Sequence, residues 1–194
     1  MKTVENLSLD WLAETELTQS DSVIRNAVKD ILQIKERESL PGKISFYLNS
    51  FRRDKSNFKN DYRKRSASEI ITSQYQTGCT DAALMFVTLA RHLGIPAIFQ
   101  DNFELDWLEN IETTNEYSNH AVALIGSDNN WELYDPFSGF IPPDKFYNDY
   151  LPYGEGLDFT KLYHNFENKI KNPLNVDSLE KLKETALLMK PYLF

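Results

Sequence analysis

Three residues of this chain are of the types that, brought together, carry out acyl transfer: Cys79, His120 and Asp135. Cys79 is the single cysteine, and a lone cysteine is more often an inert buried residue than a nucleophile. Its position argues for the nucleophile. It follows Thr77-Gly78 and opens a stretch through Leu93 that contains neither Gly nor Pro. That places the thiol at a helix N-terminus, where unsatisfied backbone N–H groups and the positive end of the helix dipole gather. A thiolate is stabilised there and its pKa lowered. The same N–H groups can hold a developing oxyanion, and Gly78 lets a substrate come close to the backbone.

His120 and Asp135 fall on two strands of one hairpin. Ser118 to Ile125 reads as a strand, Gly126-Ser127-Asp128-Asn129 as turn chemistry, and Asn130 to Asp135 as the returning strand. With Ile125 opposed to Asn130, His120 falls directly opposite Asp135 and shares its face with Val122, Leu124, Trp131 and Leu133. Cross-strand partners are close enough for a carboxylate to hold an imidazole. The rest of that face is apolar, so it is expected to pack on the core against the Cys79 helix. An Asp–His pair set in such a face is costly unless it has a task or excellent partners. Nucleophile, base and orienter thus follow in the order Cys, His, Asp, with the sulfur expected within about 4 Å of a His120 nitrogen.

The residues around these three resemble the transglutaminase-like superfamily of papain-like cysteine enzymes. The block Thr77-Gly78-Cys79-Thr80-Asp81-Ala82-Ala83-Leu84-Met85-Phe86, with the exit Arg91-His92-Leu93-Gly94-Ile95-Pro96-Ala97, is similar to the family's cysteine helix. Asn119-His120-Ala121-Val122 is similar to its histidine strand, and Trp131-Glu132-Leu133-Tyr134-Asp135-Pro136 to its aspartate strand. Val122 stands where members often carry an aromatic. The resemblance spans roughly residues 66 to 140. It implies an α+β fold with a central buried helix packed on an antiparallel sheet, and it maps Cys79, His120 and Asp135 onto a catalytic triad. Members include cross-linking enzymes, peptidases, deglycosylating amidases and inactive binding modules. The implied activity is cleavage or transfer of an acyl group from a peptide, protein side-chain or small amide through a thioester at Cys79. The alternative is an inactive module that keeps the cleft. Gln74 and Gln76, just upstream of Cys79, are the candidate side-chain oxyanion donors, with neither preferred.

The elements that must position these residues are legible from periodicity. Ala82 to Leu93 is apolar on almost every face, which marks a buried helix, and Gly94 and Pro96 stop it. Ser20 to Glu38 carries an apolar stripe at Val23, Ile24, Ala27, Val28, Ile31 and Ile34, with Leu40-Pro41-Gly42 as its stop. Leu7, Leu9, Trp11 and Leu12 suggest a first short helix or an arm. Ser66 and Glu69 form a capping box that opens another helix. Ala97 to Phe103 reads as a strand. Asp101 to Glu116, with six acidic residues and no basic one, reads as a surface excursion bordering the cleft, with one turn near Leu105 to Leu108. Two helices are expected at the end, Asp158 to Lys169 and Asp177 to Met189. The division is one domain over residues 1–194, with a helical region over residues 1–65, a catalytic core over residues 66–140 and a helical extension over residues 141–194.

Other features carry less. Arg52 to Arg65 holds seven basic residues against two acidic ones and reads as a solvated connection. His92 suits the helix dipole at the C-terminal end, and His164 reads as exposed. Tyr147, Tyr150, Tyr153 and Tyr163 with Phe140, Phe146, Phe159 and Phe166 read as core and rim, and Gly154-Glu155-Gly156 as a mobile cleft edge. A zinc site lacks ligand spacing, and there is no phosphate-binding glycine motif, so no cofactor is expected. The chain has 194 residues, 41% apolar and 26% charged, with a formal net charge of −8. That bulk supports one core, and the acidic balance disfavours nucleic acid. No apolar run approaches the ~18 residues of a membrane span, and no secretory signal is recognised. A cytoplasmic globular protein is expected, with its oligomeric state open.

Overall fold

The computed structural model describes residues 11–56, 58–114, 118–127, 130–160, 162–163 and 178–189. Helix α1, Ser22–Gln33, begins where the Asp21 carboxylate accepts the N–H groups of Val23 and Ile24 at 2.8 and 2.9 Å. It buries Ile24, Ala27 and Ile31 and ends earlier than the stripe suggests. The Leu40-Pro41-Gly42 stop signal is instead the first turn of a second helix, α2, Leu40–Leu48. Ser39 caps it by accepting the Gly42 N–H at 3.2 Å. Proline is harmless there, because the first-turn N–H groups have no intrahelical partner. A short parallel pairing joins β1, Arg52–Arg53, to β2, Tyr75–Gln76. Between them lie α3, Phe58–Asp61, and α4, Ala67–Ser73, the latter opened by the expected Ser66–Glu69 capping box.

Helix α5, Cys79–His92, is the centre of the molecule, with every residue from Thr80 to Arg91 buried. Each large apolar side chain removed from water here contributes about 1.5–3 kcal/mol. The arginine of the exit motif is structural. Arg91 donates to the carbonyls of Trp11, Ala97 and Leu157 at 2.6–3.0 Å, tying the helix end to three segments. Of the expected N-terminal arm, Trp11 is held here and residues 1–10 lie outside the described residues.

The helix packs on a six-stranded antiparallel sheet of order β6-β5-β4-β3-β7-β8. These strands are β3 (Ala97–Glu104), β4 (Asn119–Ser127), β5 (Asn130–Asp135), β6 (Gly139–Phe140), β7 (Tyr150–Gly156) and β8 (Leu162–Tyr163). The expected α+β, papain-like arrangement is present. Three local expectations are corrected. Residues 158–160 form a bend and turn and Leu162–Tyr163 strand β8 rather than the start of a helix, while residues 161 and 164–169, with His164 and Phe166, lie outside the described residues. Gly154-Glu155-Gly156 is not a loose edge, because β7 pairs there with β3. The acidic stretch is no simple excursion: Asp101, Asn102 and Phe103 are buried in β3. Helix α6, Leu105–Glu109, and the residues after it then bury Trp107, Leu108 and Ile111. The closing helix α8, Leu179–Met189, is present and buries Leu182 and Ala186.

The hairpin register also differs from the expected one. Ala123 pairs with Tyr134 and Ser127 with Asn130, so the ladder runs two residues further than a turn at Gly126 allows. Gly126 lies within the strand, where a Cβ would meet the Asn130 carbonyl oxygen at 2.1 Å. Only glycine fits. His120 and Asp135 are therefore diagonal, not opposite. The face they share packs on Phe146, Ile141 and Tyr150 with Val122, Leu124 and Leu133. It is the alternate residues, Ala121, Ala123 and Ile125, that belong to the core with α5.

Candidate active site

Cys79 opens α5 as its sequence position implies. Gly78 precedes it in extended backbone, with no side-chain cap. The cap is supplied from inside the helix: the buried Asp81 carboxylate accepts the Thr77 N–H and the Thr77 hydroxyl, both at 2.8 Å, and pairs with Arg65. The Arg65 guanidinium lies over the Tyr75 ring, 4.4 Å from its centroid. These contacts fix the turn that presents the half-buried thiol. The Cys79 Sγ lies 3.7 Å from the carbonyl oxygen of Asn119, so helix start and β4 start meet at the sulfur.

His120 follows Asn119, whose carbonyl meets the Cys79 sulfur, and its ring holds Asp135. Its Nε2 lies 2.5 Å from Asp135 Oδ2, so Nδ1 is the ring nitrogen not committed to the carboxylate. Asp135 Oδ1 accepts the N–H groups of Phe137 and Ser138 at 2.7 and 2.9 Å, so the carboxylate cannot swing away. The ring is walled by Tyr150 and Phe146, with centroids 5.3 and 6.0 Å distant. Phe146 belongs to α7, Pro143–Phe146. Sequence alone reads these two aromatics only as core and rim.

The electrostatics follow from this geometry. Burial alone would push the Cys79 thiol up. A hydrogen bond with His120, the charge on that ring, the Ala121 N–H and the Arg63 charge together bring it below the ordinary thiol range. Burial would likewise disfavour an imidazolium, but the hydrogen bonds and charges of Asp135 and Cys79 push His120 up to about 10. Asp135 is raised by burial, yet the His120 hydrogen bond and charge and two backbone N–H groups hold it below the usual carboxylate range. The arrangement favours thiolate and imidazolium as one coupled pair.

Both candidate glutamines are engaged elsewhere. Gln74 ends α4 in left-handed backbone, and its amide donates to the Ile71 carbonyl at 2.7 Å. Gln76 is buried, with its amide on the Leu48 carbonyl at 3.4 Å. His92 serves structure at the far end of α5, near the Thr18 carbonyl and Glu14. Among the described residues, no group of three or more His, Cys, Asp or Glu side chains is arranged to hold a metal ion.

The reading of Arg52 to Arg65 as a solvated connection is corrected at two positions. Arg65 braces the helix start. Arg63 is fully buried and paired with Asp101, whose Oδ1 accepts the Asn119 amide at 3.0 Å. A charge run gives no sign that one member turns inward. The signal lies in Asp101, an acidic residue midway along an otherwise buried strand.

The model of the transglutaminase-like superfamily matches residues 32–136, more than half of the chain and all three residues just described. The chain belongs to the transglutaminase-like superfamily. Two solved structures share this transglutaminase-like fold. One, from Cytophaga hutchinsonii and provisionally described as a cysteine protease, is 19% identical with a TM-score of 0.60, over 87% of this chain and 58% of that one. The chain thus spans little more than half the length of that protein. The other is calcium-bound LapG of Legionella pneumophila, 16% identical with a TM-score of 0.52, over 96% of this chain and 99% of that one. No curated protein matches the sequence.

Proposed function

We propose that this transglutaminase-like protein is a cysteine enzyme that cleaves or transfers acyl groups from amides, with Cys79, His120 and Asp135 as its catalytic triad. The observation that carries the reading is His120, 2.5 Å from Asp135 through Nε2 and directly after Asn119, whose carbonyl lies 3.7 Å from the Cys79 sulfur.

The Cys79 thiolate attacks the carbonyl carbon of an amide, and the carbonyl electron pair moves onto oxygen. The N–H groups of Cys79 and Thr80 lie outside the helical ladder, whose first bond runs from the Ala82 N–H to the Gly78 carbonyl at 3.2 Å. They are placed to receive that oxyanion. As it collapses, the C–N bond breaks and the His120 imidazolium gives its proton to the departing amine. The neutral imidazole then takes a proton from water or an acceptor amine. The resulting nucleophile attacks the thioester, and the acyl product leaves the thiolate. Asp135 keeps the ring oriented and its charge supported throughout. Substrates of this chemistry are peptides, protein side-chain amides or small amides, with water the preferred acceptor. The intact set of three favours an enzyme over an inactive module.

The test is trapping of the acyl intermediate. An activated acyl ester mixed with the protein should add one acyl group at Cys79, seen by mass spectrometry after acid quench, with a burst of released alcohol. Cys79→Ala should show neither. Acylation confined to lysines would contradict the proposal.

A further inference from the structure

We propose that Arg63 is a positioning residue for the nucleophile: a buried cation, fixed between Asp101 and Tyr153, whose charge helps hold the Cys79 thiolate. The inference rests on the triad reading and deepens it, by adding a fixed positive charge that no pH change in the working range removes.

The backbone comes first. Arg63 has φ +55°, one of two non-glycine residues described in the left-handed region. A long side chain there is uncommon and strained, so its surroundings must hold it. The reward is direction: the turn after α3 sends the guanidinium inward onto Asp101 and Tyr153. Its side chain and that of Asp101 are both 0% exposed. Arg63 donates to the Tyr153 hydroxyl at 3.2 Å, and that hydroxyl donates to Asp101 at 2.5 Å.

One chain of contacts joins this pair to the nucleophile, and a run of rings leads from Arg63 toward the residue before it. Asp101 accepts the Asn119 amide, and the Asn119 carbonyl lies against the Cys79 sulfur. On the other side, the Arg63 guanidinium lies 5.2 Å from the Tyr62 ring centroid and the Tyr62 ring 5.1 Å from that of Phe58. A Cβ on Gly78, the neighbour of Cys79, would touch the Phe58 ring at 3.8 Å. The Tyr62 hydroxyl is buried beside Arg63 and Asn119. A buried ion pair is weak support for stability against an apolar replacement. Its link to the sulfur through Asn119 gives it a use. Arg63 and Cys79 attract each other when both are charged, in agreement with the lowered thiol.

The groups facing the thiol come from several elements. His120 on β4, backed by Asp135 on β5, supplies the titrating positive charge. Arg63 supplies the fixed one, with Asp101 on β3 behind it. Tyr62, Tyr150 and Tyr153 are neutral phenols held above their ordinary range by burial. Asp81 on α5 itself is neutralised by Arg65.

Opposite signs make the test decisive. Breaking one ion pair from either end must move the thiol in opposite directions if charge is what acts. Arg63→Met removes the cation and strands Asp101, so iodoacetamide alkylation at pH 6 should slow, on the order of tenfold for one unit of upward shift. Asp101→Asn leaves the cation unopposed, so the alkylation profile should move to lower pH. Where Arg63→Met does not fold, the double variant Arg63→Met/Asp101→Asn removes both charges and keeps hydrogen-bonding groups at position 101. It should titrate at higher pH than Asp101→Asn alone. A network that is only structural would loosen the site from either end and move both single variants the same way. That result, or no movement with His120→Ala still shifting the profile, overturns the inference and leaves the triad standing. A wild-type thiol titrating like a free cysteine overturns both.

Discussion

Asp135 grips His120 with one carboxylate oxygen, 2.5 Å from Nε2, while the other oxygen is held by the Phe137 and Ser138 N–H groups. The two jobs separate in Asp135→Asn. The amide oxygen can still accept both backbone N–H groups, so folding should survive. The charge that supports the imidazolium is gone, and the amide favours the wrong ring orientation. Turnover of an activated ester should fall by roughly 10²–10⁴ with an unchanged near-ultraviolet circular dichroism spectrum. Loss of the spectrum would make Asp135 a structural residue.

The pair also predicts a pH dependence of stability. His120 is raised to about 10, so its contribution is complete below the unfolded value of about 6.5 and lost as pH rises through 10. Cys79 is lowered, so its contribution is present above about 8.5 and lost as pH falls through its folded value. Above about 6.5, wherever the folded thiol is already ionised, the two slopes cancel up to about 8.5. The Tm difference between wild type and His120→Ala should be widest and flat in that window and shrink toward pH 10.5. A difference that grows toward pH 10.5 would contradict the ion pair.

Arg91 gives a control at the other end of α5. Its four hydrogen bonds to three carbonyls match a planar fork that lysine lacks. Arg91→Lys should cost about 1–3 kcal/mol in urea unfolding while leaving the alkylation profile of Cys79 in place. A shifted profile would mean that the two helix ends are coupled.

The acidic segment after β3 starts at the site's own edge. Glu104 hydrogen-bonds Ser118 and pairs across the sheet with Tyr150, whose ring adjoins His120. Asp106, Glu109 and Glu112 follow, all exposed. Neutralising these three should weaken binding of a lysine-containing peptide relative to a neutral one and flatten its salt dependence. Unchanged salt dependence would remove the segment from substrate recognition.

What the sequence reveals here depends on how each signal is built. The hairpin register expected from the turn residues is two residues short, yet His120 and Asp135 still share a face, because side chains alternate with period two and an even shift preserves the face. The partner of that face is not legible, since an apolar strand face does not say which apolar surface covers it. Helix α2 is hidden because Pro41 and Gly42 punctuate a chain equally well as a stop or as a first turn, and Ser39 decides between them. The start of α5 is legible because a buried helix is apolar all round. Arg63 is not, since its burial depends on Asp101, distant in sequence and adjacent only after folding.

The central claim is that Cys79 and His120 form a charged pair supported by Asp135, and the rate of Cys79 alkylation by iodoacetamide against pH measures it directly. A free thiol titrates near 8.5, and a helix N-terminus with an imidazolium lowers that to roughly 3.5–7.5. Wild-type protein should alkylate rapidly well below pH 7. His120→Ala should move the profile back toward a free thiol, and Asp135→Asn should move it some of the way. If His120→Ala leaves the wild-type profile in place, or Cys79 alkylates only when the protein unfolds, the pairing is wrong and the fold carries no such enzyme.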